Sequence, residues 1–200
     1  MATIEPADFY QFLLARRSAV FLVDPAPSPA IVEKILTAAG TVPDHGGLQP
    51  FRFVVIEGEG RDRFGEALVN AAEEAKGTTL EEAVRPKIKA KAFAAPLQIL
   101  IIYSPVPGTK VPFTEQMAAA ACTGYAMILA ANALGSAAVW KSFAYPPGSA
   151  LRQLLELKEG EQSLGWINLG TERQKEGATD SKTNRIPVRA RLKHTVIFVK

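Results

Sequence analysis

Hydrophobic and polar residues alternate along this chain with two different periods, which predict helices and strands. Apolar residues that return every three or four positions mark one face of a helix. This spacing predicts helices over residues 9–14, 29–42, 61–76, 80–93, 114–134 and 149–157. The second of these has the clearest start signal, because Ser28 is a suitable side-chain cap and Pro29 suits the first turn.

Short runs of strand-forming residues separate the helices. They predict strands over residues 51–56, 97–103, 137–140, 164–169 and 195–199. The run LQILIIY at 97–103 is nearly all apolar, which is typical of a strand buried on both faces. Strands and helices mix without a regular βαβ alternation. We therefore expect an α+β fold, with helices around a sheet, in a single domain over residues 1–200.

The segment 114–134 is apolar nearly all round, so we expect it to cross a core or an interface. It contains the single cysteine, Cys122, which we expect to be a small buried core residue. One cysteine allows no intrachain disulfide, and the N-terminus shows no signal-peptide pattern. The segment is also too short and too interrupted to cross a bilayer. A cytoplasmic protein without membrane attachment is expected.

Charged residues are distributed unevenly along the chain. The formal net charge is +3, yet residues 173–200 contain eight Lys and Arg against two Asp and Glu. A basic tail can bind phosphate, and it can equally be a solvated segment. A basic-tailed anion-binding or nucleic-acid-binding protein is therefore one alternative. No recognised nucleic-acid-binding motif is present, so we expect no nucleic-acid partner.

Several standard catalytic motifs are missing. Gly58-Glu59-Gly60 stands between a strand and a helix, where a dinucleotide-binding fingerprint belongs, but position 63 is Arg63 instead of the third glycine. A strand-end turn is the better interpretation. Two histidines and one cysteine are too few for a structural zinc site. There is no nucleophile elbow and no Walker loop. Such a chain is typical of an enzyme that takes its chemistry from a cofactor.

Three segments could meet a cofactor, although each also has an ordinary structural explanation. Arg16-Arg17-Ser18 can offset the negative end of the first helix, or present donors to a phosphate. The loop 43–50 can simply lead into a strand, while its His45 and Gln49 supply polar contacts. Trp140-Lys141-Ser142 can be a core tryptophan followed by surface residues, or an aromatic wall with a cation beside it.

In this order and spacing the segments resemble the nitroreductase family, above all its small single-domain bacterial branch. The motifs are RRS at 16–18, P-x-P at 25–27, PDHGGLQPFRFVVIEGEGR at 43–61, KVPFTEQMAAAAC at 110–122, WKS at 140–142 and LGT at 169–171. Each motif is weak alone. Their shared order, over nearly the whole chain, is fairly specific.

The resemblance implies a nitroreductase-like fold, with a central, mostly antiparallel sheet flanked by helices, in an intertwined homodimer with FMN at the interface. It implies an enzyme that passes electrons in pairs from NAD(P)H through FMN to nitroaromatic, quinone or similar small acceptors. No protein residue is expected to be catalytic. The residues implied to bind FMN are Arg16, Arg17, Ser18, Trp140, Lys141 and Ser142 of one chain and Pro43, His45 and Gln49 of its partner. A flavin-binding protein without turnover is the remaining alternative.

The chain departs from the family pattern in places. Lys141 stands where the branch usually has arginine, so the charge is kept and the planar fork is lost. Thr41 stands where the branch can carry a basic residue, and we count it among the FMN-binding positions. The ending at 184–187 resembles that of larger nitroreductases, which implies that Arg185 reaches the FMN phosphate; an exposed surface arginine is the alternative. The charged segment 76–91 is a candidate lid.

Overall fold

Residues 6–173 are described by the computed structural model of the chain. The helices are α1 Pro6–Ala15, α2 Pro29–Ala39, α3 Gly60–Lys76, α4 Arg85–Lys89, α5 Phe113–Ala133 and α6 Ser149–Leu154. The strands are β1 Leu22–Val23, β2 Phe51–Glu57, β3 Leu97–Tyr103, β4 Ala137–Lys141 and β5 Gln162–Glu172, and two 3-10 turns occupy His45–Gly47 and Ala90–Phe93. The predicted strand at 195–199 and Arg185 lie outside the described residues.

The five strands form one antiparallel sheet around β5. Strand β3 pairs with one edge of β5 and β4 with the other, since Leu169 faces both Leu97 and Ala138. Strand β2 continues the sheet beyond β3, and the short β1 pairs with the last residues of β5. The prediction of an α+β fold with a mostly antiparallel sheet is therefore confirmed.

Hydrophobic cores lie on both faces of the sheet. Strand β3 lies between them and is therefore buried from end to end. One core joins Leu100 and Trp166 of the sheet to Phe64 of α3 and to α6. The other joins Ile99 to Ile35 of α2 and to α5. The Gly58–Gly60 segment is the tight connection between β2 and α3, as the missing third glycine predicts.

Several element boundaries differ from those expected. The predicted helix 80–93 is wrong: the chain forms only the short α4 and a 3-10 turn there, because Pro86 is tolerated in the first turn of a helix but not in its interior. Helix α6 ends early, near Glu156, whose φ of 49° is left-handed. Strand β5 is longer than predicted. Strand β1 was not predicted, because two residues are too few to show a strand pattern in the sequence.

The segment 76–91 is packed rather than open. Leu80 and Ile88 are buried in the core beside α3, and Lys89 donates to Glu66 of α3 at 2.7 Å. Gly65 of α3 makes room for this contact, because a Cβ there would lie 2.8 Å from Lys89 Cγ. Nothing in this packing singles the segment out as a lid.

Helix α5 has one face in the core and one face exposed. Met127 and Ala131 are buried, whereas Ala118, Cys122 and Tyr125 are exposed along the opposite face. The expectation that Cys122 is buried is therefore wrong for the single chain, because its neighbours Thr123 and Gly124 take the inward positions. None of the helices within residues 6–173 is long and apolar enough to cross a membrane.

Candidate functional site

The arginine segment, Arg16-Arg17-Ser18, follows the last turn of α1, and its side chains differ in their hydrogen bonds. Arg17 Nη1 donates to the carbonyl oxygens of Leu14, at 2.7 Å, and Arg16, at 2.8 Å, so it satisfies orphan acceptors at the helix end. Its Nε is buried and has no partner within the described part of the chain. The Arg16 side chain makes no hydrogen bond or ion pair with residues 6–173, and Ser18 is exposed. Of these two arginines, Arg16 is therefore the one whose guanidinium donors are all without a hydrogen-bond partner among residues 6–173.

Trp140, Lys141 and Ser142 lie at the end of β4, the strand to which the chain just after the arginine segment is bonded. The two segments are connected because the backbone N–H of Ala19 donates to the carbonyl of Ala138 at 3.1 Å. Trp140 is half-buried, packs on the α5 side of the sheet, and donates from Nε1 to the Leu164 carbonyl at 3.0 Å. Lys141 and Ser142 are exposed.

The Trp140 ring packs closely against α5 and the neighbouring strand. A Cβ at Gly124 of α5 would lie 2.7 Å from the ring, so the missing side chain lets the indole pack directly on the helix backbone. A Cβ at Gly165 would lie 2.2 Å from the Lys141 carbonyl, so the neighbouring strand also needs a glycine. The tryptophan is therefore a rigid surface, which combines the core role and the exposed role considered from the sequence.

The loop 43–50 has an unusual backbone path that its own residues stabilise. Gly46 and Gly47 have φ values of 79° and 62°, and Gln49 has a φ of 48°, which is uncommon for a residue with a side chain. Asp44 Oδ2 accepts a hydrogen bond from the Gln49 backbone N–H at 2.6 Å. Pro43, His45 and Gln49 are exposed. The loop thus presents its predicted ligand-binding residues to the outside.

The same loop is attached to the start of α5. His45 Nδ1 lies 2.8 Å from Glu115 Oε2, and Gly46 lies beside Val111, just before the helix. Buried Gln116 holds that preceding segment through hydrogen bonds with both backbone groups of Val106 and with the Val111 carbonyl. Sequence reasoning did not single out Glu115, because its partner is 70 positions away.

The His45 loop and the tryptophan segment lie towards one end of the sheet, but on different strands, whereas the arginine segment is bonded to β4 further from that end, at Ala138. Antiparallel pairing puts the start of β2, after the His45 loop, at the end where β4 finishes. Strands β3 and β5 separate β2 from β4, so three interstrand spacings, about 14 Å, lie between the two outer strands. Within one chain the structure attaches the arginine segment, through Ala19, to the strand that carries Trp140, and it leaves the loop at the opposite edge.

The remaining candidate, Thr41, has a local role. Its Oγ1 donates to the Ala38 carbonyl at 2.8 Å and so satisfies the end of α2. A groove of about 600 Å³ runs between α3 and α6, and none of the candidate residues lines it. The candidate site is therefore an open surface of one chain and not this groove.

An ion pair that the sequence did not reveal anchors the strand after the loop. Arg52 donates through Nε to Glu161 Oε1 at 2.8 Å and through Nη2 to Oε2 at 2.6 Å. The same Nη2 also donates to the carbonyls of Leu155 and Glu156. The Arg52 hydrogen bonds lower the pKa of buried Glu161 to about 2, against the opposing effect of burial. This cluster fixes the start of β2 against β5.

Comparison with known proteins agrees with this architecture. The family model "Nitroreductase family" matches residues 13–171. "Putative NAD(P)H nitroreductase YdjA" of Escherichia coli K12 is 36% identical over 164 residues, which cover 82% of this chain and 88% of the relative.

Solved structures share the fold. A nitroreductase-like family protein from Bacillus cereus superposes with a TM-score of 0.75 at 22% identity, over 100% of this chain and 99% of the other. The FMN-dependent nitroreductase NfnB from Mycobacterium smegmatis, solved in complex with NADPH, gives a TM-score of 0.68 at 20% identity, over 97% of this chain and 99% of the other. Since the family model spans more than half of the chain, and the E. coli relative most of it, the chain belongs to the nitroreductase family and is an oxidoreductase.

Proposed function

We propose that this chain works as a homodimer that binds FMN at its interface and passes electrons in pairs from NAD(P)H to nitroaromatic, quinone or similar small acceptors. The observation that carries the proposal is that the candidate residues of one chain lie in two separate places, an arrangement that we call the split site. The arginine segment is attached through Ala19 to β4, which carries Trp140, while the exposed His45 loop precedes β2 at the opposite edge of the sheet. A second copy of the chain can bring its own loop to the first copy's arginines and so complete one pocket.

The available donors suit the polar part of FMN. Arg16 has its full fork of N–H groups available, and Arg17 carries a buried Nε without a partner in residues 6–173. Planar guanidinium forks match phosphate geometry, and a hydroxyl such as that of Ser18 adds a further contact. Arg17 has already committed Nη1 to the end of α1, so we assign the principal phosphate contact to Arg16.

The other face of the site suits an aromatic ring. Trp140 offers a rigid, half-buried surface, and Lys141 places an ammonium group next to it in the sequence. A cation beside a bound ring system stabilises negative charge that develops on it. Bound FMN would supply the redox chemistry, taking a hydride from NAD(P)H and returning the electron pair to an acceptor. The residues bind and orient it, and the partner's Pro43, His45 and Gln49 would shield it from water.

The exposed face of α5 supports a homodimer. Ala118, Cys122 and Tyr125 follow one another at helical spacing, and Phe113 is also exposed at the start of the helix. Exposed apolar surface of this kind is typical of a contact with another protein. A contact through this face would bury Cys122 after all. The Thr41 and Arg185 contacts, the single domain and the cytoplasmic location remain predictions.

The test combines flavin absorbance, NAD(P)H oxidation and the molecular mass of the protein in solution. Purified protein should show flavin absorbance at about 350–480 nm, since bound FMN is required for the proposed chemistry. It should oxidise NADH or NADPH only when a quinone or nitro compound is present, and light scattering should give the mass of two chains. Tyr125→Arg should give a monomer that releases FMN, whereas Asn70→Arg, on exposed α3 surface, should stay dimeric.

Three outcomes would overturn parts of this proposal. FMN binding without NAD(P)H oxidation, for any quinone or nitro acceptor, would favour a flavin-binding protein without turnover. A colourless protein that binds DNA with a steep salt dependence would favour the anion-binding alternative. A monomer that holds FMN tightly would remove the need for a split site.

A further inference from the structure

We propose that Glu115 is a positioning residue for His45: it holds the imidazole through Nδ1 and leaves Nε2 as a hydrogen-bond acceptor for a donor group of the bound ligand. This inference rests on the proposed function, which places His45 beside the flavin. It extends that function to a residue on another element, at the start of α5, and to the tautomer of the His45 ring.

The chemistry of the pair determines which nitrogen carries the proton. An ionised carboxylate can only accept hydrogen bonds, so the 2.8 Å contact between His45 Nδ1 and Glu115 Oε2 requires a proton on Nδ1. In the neutral ring the other nitrogen then has a free lone pair. His45 therefore offers an acceptor at Nε2, which suits an N–H or O–H group of the ligand.

The pair is exposed, and its surroundings are rigid. The side chains of His45 and Glu115 are 67% and 52% exposed, so a ligand can reach the imidazole without displacing a core residue. Buried Gln116 fixes the segment before α5, and Tyr103 Oη donates to the Phe113 carbonyl at 3.1 Å, so the helix start is held on two sides. The second carboxylate nearby, Asp44, is engaged by the Gln49 backbone N–H.

Stability offers little reason for this contact. Exposed ion pairs contribute little to folding, because solvent screens them and both side chains lose freedom. Removal of the Glu115 side chain should therefore leave the fold intact. That allows the pair to be tested by substitution without loss of the protein.

The first experiment measures the tautomer directly, in FMN-free protein at pH 8. Long-range proton–nitrogen correlation spectra distinguish the two ring nitrogens, and the chain has two histidines, so a His194→Gln variant assigns them. We expect the Nδ1–H form in the wild type and a smaller share of it in Glu115→Gln, whose amide can either accept from Nδ1 or donate to it. Glu115→Ala should give a mixture or the Nε2–H form. The same spectrum for wild type and Glu115→Ala would overturn the inference.

The second experiment measures the consequence in the FMN-loaded enzyme. Loss of one oriented hydrogen bond predicts that Glu115→Ala weakens FMN binding, or raises KM for the acceptor, by about three- to tenfold with a smaller change in kcat. Glu115→Gln should fall between Glu115→Ala and the wild type, and Glu33→Ala, an exposed glutamate of α2, should have no effect. In a His45→Gln background, Glu115→Ala should add nothing further.

The two experiments separate the inference from the proposed function. A changed tautomer with unchanged binding and KM would overturn the contact with the ligand and leave the oxidoreductase intact. A wild-type protein that binds no FMN would overturn both the ligand contact and the proposed function, whatever the tautomer spectra show.

Discussion

Asp44 Oδ2 accepts a hydrogen bond from the backbone N–H of Gln49 at 2.6 Å, and this bond closes the loop that precedes β2. Gln49 has a φ of 48°, so its backbone is in a region that costs free energy for a residue with a Cβ. The Asp44 carboxylate offsets that cost. An aspartate that touches no proposed ligand therefore determines where His45 and Gln49 point.

Asp44→Ala should loosen the loop without unfolding the protein. The Gln49 N–H loses its acceptor, so its amide exchange should accelerate about tenfold, which corresponds to the loss of about 1.4 kcal/mol of local protection. FMN affinity should fall with it. Asp44→Asn, which keeps an oxygen acceptor, should behave almost as the wild type. Hydrogen exchange and FMN titration measure both effects.

A second substitution makes that test independent of the charge. In Asp44→Ala, a further Gln49→Gly change should slow exchange across the rest of the loop again, because glycine accepts a positive φ at little cost. If exchange is as fast in the double variant as in Asp44→Ala, backbone strain at Gln49 is not what the aspartate offsets.

Gly124→Ala should displace the Trp140 ring. The added Cβ would lie 2.7 Å from Ile101 Cδ1 and from the indole, closer than atoms can approach, so one of them must move. Overpacking of this kind costs about 1–3 kcal/mol. The chain has two tryptophans, and the indole N–H resonance of Trp140 should shift while that of Trp166 stays.

The matched control for this substitution is Gly60→Ala at the start of α3. There a Cβ would make an ordinary 3.5 Å contact with Ile56 Cγ2, so neither stability nor the Trp140 resonance should change appreciably. An unshifted Trp140 resonance in Gly124→Ala would mean that Ile101 yields instead, and that the indole is not held by α5.

Arg16 and Arg17 should respond differently to substitution. Arg16→Ala removes a guanidinium that makes no hydrogen bond or ion pair in the described structure, so FMN affinity should fall about ten- to a hundredfold while the melting temperature changes little. Arg17→Ala should lower both, because Arg17 also bonds the carbonyls at the end of α1. Lys34→Ala, on exposed α2 surface, is the control. Equal FMN affinity in Arg16→Ala and wild type would remove Arg16 from the phosphate contact.

Local patterns predicted most of the fold. The buried run at 97–103 predicted β3 to the residue, and the serine–proline signal predicted the start of α2, whereas α2 ends three residues before the expected position 42. Ser28 still makes no side-chain cap; its carbonyl accepts from Ile31 and Val32 instead. The helix prediction at 80–93 was wrong because it relied on the apolar periodicity and ignored Pro86, which lies in the first turn of α4.

The arrangement of the candidate site was less accessible from the sequence. Motif order grouped the three segments, but the strand order that separates the His45 loop from Trp140 depends on pairing between distant strands. The partners that hold the segments are just as distant: Glu115 for His45 and Glu161 for Arg52. No local pattern connects residues 70 or 109 positions apart, so their contacts required the structure.

The Arg52–Glu161 pair should make folding stability depend on pH in the acid range. Its hydrogen bonds lower the Glu161 pKa from the ordinary 4.5 to about 2 in the folded protein. The folded state therefore binds the proton less readily than the unfolded state. Its stabilising contribution is complete above about pH 4.5, and it is lost as the pH falls from there towards 2.

Substitutions of the pair test this directly. Arg52→Ala leaves a buried carboxylate without its partner, which should cost about 3–5 kcal/mol at pH 7, whereas Arg63→Ala on exposed α3 surface should cost little. Glu161→Gln should be destabilised at pH 7 but should lose less stability than the wild type between pH 4.5 and 3. Urea unfolding at each pH gives these free energies. Parallel pH profiles for wild type and Glu161→Gln would show that other carboxylates cause the acid sensitivity, and that the pair stabilises β2 through packing alone.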